Sequence, residues 1–502
     1  MNAFDNEKYL SAQQKYILER VAQSTTRLYL EFGGKLMEDF HAARVLPGYD
    51  PNVKIRLLEK LRDQAELILC IHAKDIQTGR RRADLGIPYD KEAMRLIDDL
   101  RSRGVTICAV CITRFCDEPE ALEFQSILEK NGIHVYRHRG IDGYPSDIDR
   151  VVSETGFGAN PYIPVSRPLV VVTAPGPNSG KMGTCLSQIY HEFRQGRVSQ
   201  YAKFETFPVW NLPLTHPVNI AYESATADLH DMNAIDSFHV EAYGKTAVNY
   251  NRDLQAFPLL QTLLNRITGG KCTYKSPTDM GVNCIAQGIV DDAACQKAAR
   301  IEIARRYMQC LEETRLRNLD ETILKRHIEI TAKAGVVPEQ ERCVVPAARE
   351  AAENCRALNR GVNGIYCGAA IQLPDGTIIQ GKNSPLMHSA SSMIINAIKH
   401  LAGIPKNLHL LIPDILESVA NFKDALGGNR HPGLDVSETL ITLVISAKSN
   451  PCAASALECL KQLHRCDVHL THVPARGDEA GLRRLGCSYT FDPVLPTKNL
   501  FS

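Results

Sequence analysis

Pro168-Leu169-Val170-Val171-Val172-Thr173, then Ala174-Pro175-Gly176-Pro177-Asn178-Ser179-Gly180-Lys181-Met182-Gly183-Thr184, then Cys185 to Arg194 reads as strand, glycine-bearing loop and helix in succession. A β-branched run without polar alternation suits a strand buried on both faces, as in the middle of a parallel sheet. Glycines let backbone N–H groups face a phosphate, the helix start adds positive potential, and a lysine neutralises the outer oxygens. The segment is therefore read as a variant phosphate loop (P-loop) in which Gly176, Asn178, Ser179, Gly180, Lys181 and Thr184 hold the phosphates, with Lys181 also catalytic. It departs from G-x-x-x-x-G-K-[ST] at three points. Gly176 precedes Gly180-Lys181 by one residue too few, Pro175 stands where the first glycine belongs, and Met182 replaces the magnesium-binding hydroxyl, leaving Thr184 or Ser179 to supply one. The alternative is an ordinary strand-to-helix turn capped by Asn178 or Ser179.

Upstream, apolar runs at Arg27 to Phe32, Glu66 to His72, Val105 to Thr113 and His134 to His138 alternate with amphipathic patterns near 53–64, 90–103 and 118–131. Gly104 and Gly132 follow the last two as helix stops. This rhythm predicts a doubly wound, mostly parallel α/β sheet, in which ligands bind beyond the carboxyl ends of the strands. Those ends carry Gly33-Gly34-Lys35, Lys74-Asp75 with Arg80-Arg81-Arg82, Arg114 with Asp117, and His138-Arg139. Lys35, Lys74, Arg114, His138 and Arg139 are accordingly expected to bind an anionic substrate, a solvated basic rim being the alternative.

Downstream, residues 201 to 340 are rich in polar clusters and hold the sole tryptophan, Trp210. Glu223 and Asp228, just after the apolar Val218 to Ala221, are expected to join Thr184 in holding magnesium. No strand ends in an unambiguous Walker B aspartate. Asp236, His239 and Glu241 crowd together, but their spacing fits no standard zinc template. Lys245, Asn249, Asn251, Arg252 and Asp253 form another polar stretch, and Tyr274 to Asn283 is dense in turn formers, with Lys275 and Asp279 expected to do catalytic work. Asp291 to Arg317 has the alternating charges of a solvent-facing helix.

The last 160 residues read as a separate α/β unit. A helix at Pro346 to Arg360, a strand at Ile365 to Leu373, a Pro374-Asp375-Gly376 turn and a returning strand at Thr377 to Gly381 lead into helix Ser389 to Leu401 and strand Leu408 to Ile412. Helices follow over about 414–426, 436–448 and 452–464, then strands Asp467 to His472 and Ser488 to Phe491. The order resembles the cytidine-deaminase-like fold without its zinc site. Pro451-Cys452 imitates half of the zinc motif, yet Ser455 occupies the second cysteine position and His388-Ser389-Ala390 replaces His-x-Glu. The unit is read as a scaffold or oligomerisation domain lending Lys382, Asn383 or His388 to a shared site.

Lys plus Arg (58) against Asp plus Glu (57) leaves a net charge of +1, which argues against a nucleic-acid or anionic-membrane partner. The start Met1-Asn2-Ala3-Phe4-Asp5 lacks the basic and apolar regions of a signal peptide, and nothing approaches about 18 uninterrupted apolar residues, so a cytoplasmic location is expected. The 16 scattered cysteines are then reduced thiols, and Cys108 and Cys111 are read as buried structural residues.

APGPNSGKMGTCLSQIYHEF, YESATADLHDMNAIDSFHVEAYG and YKSPTDMGVN together resemble the bacterial family termed uncharacterised protein family 0371, or domain of unknown function 1846. The resemblance spans nearly the whole chain. It implies a cytoplasmic protein of about 500 residues with a phosphate-loop-like segment and a distinct C-terminal domain, and it implies no reaction.

Three segments are expected, 1–160, 161–345 and 346–502, the first two sharing one sheet if they form a single domain. The leading functional expectation is a protein that binds ATP or another phosphorylated nucleotide with magnesium and acts as a ligase or kinase on a small anionic metabolite. A phosphometabolite sensor using the same loop is the second, and a metal-dependent hydrolase around His239 and Glu241 the third.

Overall fold

A computed structural model describes residues 2–82, 86–317, 320–425 and 433–496. The chain divides into two units, Met1–Ala299 and Arg300–Ser502.

The first unit is built on seven strands: β1 (Leu28–Phe32), β2 (Ala65–His72), β3 (Ile107–Thr113), β4 (Val135–His138), β5 (Leu169–Thr173), β6 (Gln200–Phe204) and, after the small hairpin β7 (Asn233–Ile235) and β8 (Val248–Tyr250), β9 (Gly281–Val282). Their order is β4-β3-β2-β5-β1-β6-β9, and each neighbouring pair is parallel. Every residue of β5 is buried, as its Val-rich sequence requires of a strand with neighbours on both edges and packing on both faces. Since β5 and β6 join the sheet of β1 to β4, residues 1–160 and the segment that follows them share one core. On one face, Tyr29, Val170, Val172, Cys70 and Cys111 pack against Cys185, Leu186 and Ile189 of helix Lys181–Arg194 and Leu260 and Leu264 of helix Asn251–Thr268.

Two of these elements were hidden in the sequence. β6 (QYAKF) is interrupted by Gln200 and Lys203, and helix Asn251–Thr268 opens with a polar turn and contains Pro258. All 16 cysteines are free; Cys111 is fully buried as expected, whereas Cys108 is half-buried, and burial pushes its thiol up to about 12.

The second unit contains β10 (Gly368–Gln372), β11 (Ile378–Lys382), β12 (Asp467–Leu470) and β13 (Ser488–Phe491) in the order β11-β10-β12-β13. β10 is antiparallel to both its neighbours, and β12 and β13 are parallel. The strand expected at Leu408 to Ile412 does not form. Its backbone is instead satisfied by side chains, Asn450 donating to the carbonyls of His409 and Leu410 and Ser446 accepting from Ile412 N–H, while Leu410 and Leu411 fill the core from a turn. Residue 426, the end of the helix expected over 414–426, lies outside the described residues.

Helix Asp292–Arg317 also departs from its solvent-facing reading, for Ile303, Ala304 and Met308 are buried. Its charges pair within the helix, with Arg305 Nε donating to Glu302 at 2.6 Å and Arg306 Nε to the same carboxylate at 3.0 Å. Paired charges can be buried where single ones cannot.

Arg342 is fully buried and forks onto Asp467 with bonds of 3.0 and 2.6 Å, also bonding Thr490 and the Val468 carbonyl. Removing one member of such a pair strands the other. Arg342→Ala is expected to destabilise the second unit by about 3 kcal/mol, read by urea denaturation followed by circular dichroism. An unchanged midpoint would refute that role.

Candidate functional site: the crevice at the carboxyl edge of the parallel sheet

The strand order fixes where a ligand has room. From β1 the chain passes β5 to reach β2; from β5 it passes β1 to reach β6. Right-handed crossovers place these two connections on opposite faces. The loops after β1 and β5 therefore diverge, and in open parallel sheets such a topological switch point is where a ligand crevice is expected.

The β5 loop forms one wall. Gly176 lies against the Tyr89 ring so closely that a Cβ would sit 2.6 Å from it. Asn178 and Gly180 take positive φ values of 56° and 81°. A Cβ on Gly180 would also stand 2.9 Å from Thr113, whose hydroxyl donates to the Ser179 carbonyl at 2.8 Å. Gly180 is the N-cap of helix Lys181–Arg194, and no side chain caps that end. First-turn N–H groups have no intrahelical acceptor, so an uncapped helix start favours an anion. Around it, Lys181 is half-buried and Gly183 opens onto free space. Ser179 is 3% exposed, and its hydroxyl has no partner within the protein; the same holds for the buried Thr173 hydroxyl at the end of β5. A buried unsatisfied hydroxyl costs about 1–3 kcal/mol.

Thr184 is turned away from the loop mouth. Its hydroxyl donates to the Gly180 carbonyl at 3.2 Å and lies 3.5 Å from Cys70 Sγ and 3.7 Å from Cys111 Sγ, under the helix. Met182 packs against the core.

The expected basic rim is spread along one sheet edge. Lys35 and Lys74 are exposed at the ends of β1 and β2, the two neighbours of β5, and Arg114 at the end of β3, one strand further out. Lys54 donates to the Lys35 carbonyl at 3.0 Å and to Asp39 at 2.9 Å, holding the β1 loop. His138 and Arg139 end β4, three strands from β5. His138 is buried with Nε2 3.0 Å from the Pro161 carbonyl, and Arg139 forks onto Asp117 at 2.8 and 3.0 Å.

The other expected residues lie elsewhere. Lys275 and Asp279 precede β9 at the opposite sheet edge, where Asp279 accepts from Tyr243 OH at 2.6 Å and from Lys275 N–H at 3.0 Å. Glu223 is buried in helix Pro217–Ala225, and Asp228 is exposed in the turn Ala227–Leu229. Asp236 caps a short helix, accepting from His239 N–H and from Thr278, and His239 bonds Ser276. Among the described residues, no group of three His, Cys, Asp or Glu side chains is arranged to hold a metal ion.

At the ends of β1 and β6 is a polar cluster of which the sequence reading had marked only Asp253. Glu31 of β1 is in register with Val172 of β5 and Lys203 of β6. Tyr201 donates to Glu31 at 2.7 Å. Lys203 Nζ lies 2.8 Å from Glu205 and 2.7 Å from Asp253, in the first turn of helix Asn251–Thr268. Burial opposes the Lys203 charge, but Asp253, Glu205 and Glu31 hold its pKa above the ordinary value. Burial pushes the Glu205 carboxyl up, Lys203 opposing and Asp253 assisting. Gly33 completes the fit, because a Cβ there would lie 2.6 Å from Glu205 Oε2.

Loop and cluster are joined through β1: Glu31 is in register with Val172, two residues before the loop begins, and Glu205 lies against Gly33, the residue after β1. The Cys185 thiol is raised by burial, with Glu31 adding to the shift and Lys181 reducing it. The Tyr144 phenol is raised by burial, with Glu31 adding and Arg114 opposing. The sequence signals were a lone acid in LYLEF, the Lys203 and Glu205 pair in YAKFE, and Asp253 at the end of the polar stretch that begins at Lys245.

Residues 2–335 match domain of unknown function DUF1846, N-terminal, and residues 340–501 match its C-terminal counterpart. The chain belongs to the DUF1846 family. It is 48% identical over 498 residues to a UPF0371 protein of Clostridium tetani and 49% identical over 501 residues to one of Fusobacterium nucleatum, in both cases covering 99% of each chain. A Clostridioides difficile UPF0371 protein is 47% identical with the same coverage. The crevice thus belongs to the part of the chain matched by the family's N-terminal domain. No helix among the described residues is long and apolar enough to cross a membrane.

His138 gives this edge a pH dependence. Burial lowers its pKa to about 4 from an ordinary 6.5. Between those values the unfolded chain takes up a proton that the folded chain refuses, so stability falls as pH drops through the window, by about 3 kcal/mol in all. His138→Gln should flatten that slope in denaturation curves measured from pH 7 to 4. Parallel slopes for the two proteins would contradict the assignment.

Proposed function

We propose that the protein binds a nucleotide or phosphorylated small molecule in this crevice, its phosphate seated on the β5 loop. The observation that carries the reading is the uncapped start of helix Lys181–Arg194 at the switch point, with the unpartnered, buried Ser179 hydroxyl beside it. A phosphate there would accept from the N–H groups of the first turn and from Ser179, while Lys181 neutralises its outer oxygens. Gly176, Asn178 and Gly180 let the backbone approach, and Lys35, Lys74 and Arg114 attract the anion from the neighbouring strand ends. His138 and Arg139, committed to Pro161 and Asp117, serve the rim less directly.

A role in phosphoryl transfer, as an ATP-dependent ligase or kinase with magnesium, is favoured over simple sensing by one feature. Lys203 and Glu205, both displaced from their ordinary pKa values, lie at the carboxyl end of β6, Glu205 against Gly33, and perturbed groups of this kind cluster where protons are moved. In that reading catalysis rests on positioning and charge neutralisation. Magnesium would reach the phosphates from the open side of the loop, with ligands other than the inward-turned Thr184 hydroxyl.

Thermal denaturation with ATP, GTP and sugar phosphates, with and without magnesium, tests the binding site. A ligand at about 100 times its Kd should stabilise the wild type by about 2.7 kcal/mol, and Lys181→Ala should lose most of that gain. Equal shifts for the two proteins, or none for either, would refute the phosphate site; turnover of a bound nucleotide would separate enzyme from sensor.

A further inference from the structure

The crevice has two chemically different halves. On the loop side are the helix start, the Ser179 hydroxyl and Lys181; on the other are three carboxylates, Glu31, Glu205 and Asp253, around the single ammonium of Lys203. Resting on the phosphate-site reading, we infer that the ligand is a phosphorylated sugar or other polyol, whose hydroxyl groups are received by Glu205, Asp253 and Lys203.

The bonding capacity of the cluster supports this. Each carboxylate has about four lone-pair sites. Lys203 uses Glu205 Oε1 and Asp253 Oδ2, and Glu205 Oε2 borders the Gly33 backbone at the end of β1. The three side chains are 12 to 23% exposed, so they are not solvated freely, and Glu205 lies against Gly33 at the end of β1, the strand next to β5. Such a surface offers acceptors and a donor side by side, which is the complement of a hydroxyl, a group that both gives and takes a hydrogen bond. A ligand carboxylate would face three like charges, and a ligand ammonium would meet Lys203. The phosphate, repelled by the same carboxylates, is directed to the loop, so the two halves orient one molecule. Carboxylates receive ribose hydroxyls beside a phosphate-bearing helix start in dinucleotide-binding sheets, by the same division of labour. The inference narrows the ligand from an anionic acceptor to a neutral, hydroxylated body carrying phosphate.

The full-length protein should be titrated calorimetrically with inorganic phosphate, phosphoglycolate, ribose 5-phosphate and AMP. Ribose 5-phosphate or AMP is expected to bind at least about ten-fold more tightly than phosphate and phosphoglycolate, a preference of about 1.4 kcal/mol. Ribose 5-phosphate alone would indicate a free sugar phosphate; AMP alone would indicate a nucleotide. Glu205→Gln, with Asp253→Asn as a second variant should the first fail to fold, is expected to bring all four ligands to within about three-fold by weakening ribose 5-phosphate and AMP. Phosphoglycolate binding as well as ribose 5-phosphate, or an unchanged preference in a folded variant, would overturn the inference and leave the phosphate site standing. Binding of none of the four would overturn both.

Discussion

The first unit is governed by the insertion of β5 between β1 and β2. A late strand enters a gap between two early ones, so the connections on either side must leave in opposite directions. Hydrogen bonding along both edges and packing on both faces force β5 to be wholly apolar up to Thr173. Polarity returns only where the strand ends, and there it is concentrated: a helix start without a side-chain cap, a buried hydroxyl and a lysine.

The same constraint explains the buried charges opposite the loop. Strands β1 and β6 carry Glu31 and Lys203 in register on the face covered by helices Lys181–Arg194 and Asn251–Thr268. An isolated charge there would be costly, but Lys203 is neutralised by Glu205 and Asp253, and Glu31 accepts from Tyr201. Replacing such a cluster by apolar residues is often neutral or stabilising, so stability alone gives little reason for charges at this edge. The function proposed for the crevice gives them one.

Much of this architecture was legible in the chain. Val-rich β5, the apolar runs of β1 to β3 and the helices between them follow from periodicity, and parallel pairing then brings Lys35, Lys74 and Arg114 to one edge. The polar floor was not legible because the criterion that finds strands, unbroken or alternating apolar character, fails where a strand carries a buried charge: Lys203 disguised β6, and Pro258 with a polar first turn disguised the helix that brings Asp253. Lys275 and Asp279 drew notice as polar loop residues, yet they lie beside β9 and are bonded to their own surroundings. Residue type marked them, and only sheet order places them. In the second unit, Leu408 to Ile412 shows the converse error, apolar residues that bury from a turn because Asn450 and Ser446 satisfy the backbone.

The central claim, that phosphate sits on the start of helix Lys181–Arg194 at the switch point, is tested most directly by a crystal structure of the protein with a thiophosphate ester, located by the anomalous signal of its sulfur. The account predicts a peak beside the N–H groups of residues 181–183 and the Ser179 hydroxyl, with the organic part extending toward Glu205 and Asp253. A peak held only by Lys74 and Arg114 at the outer rim, or none in the crevice at saturating ligand, would contradict it.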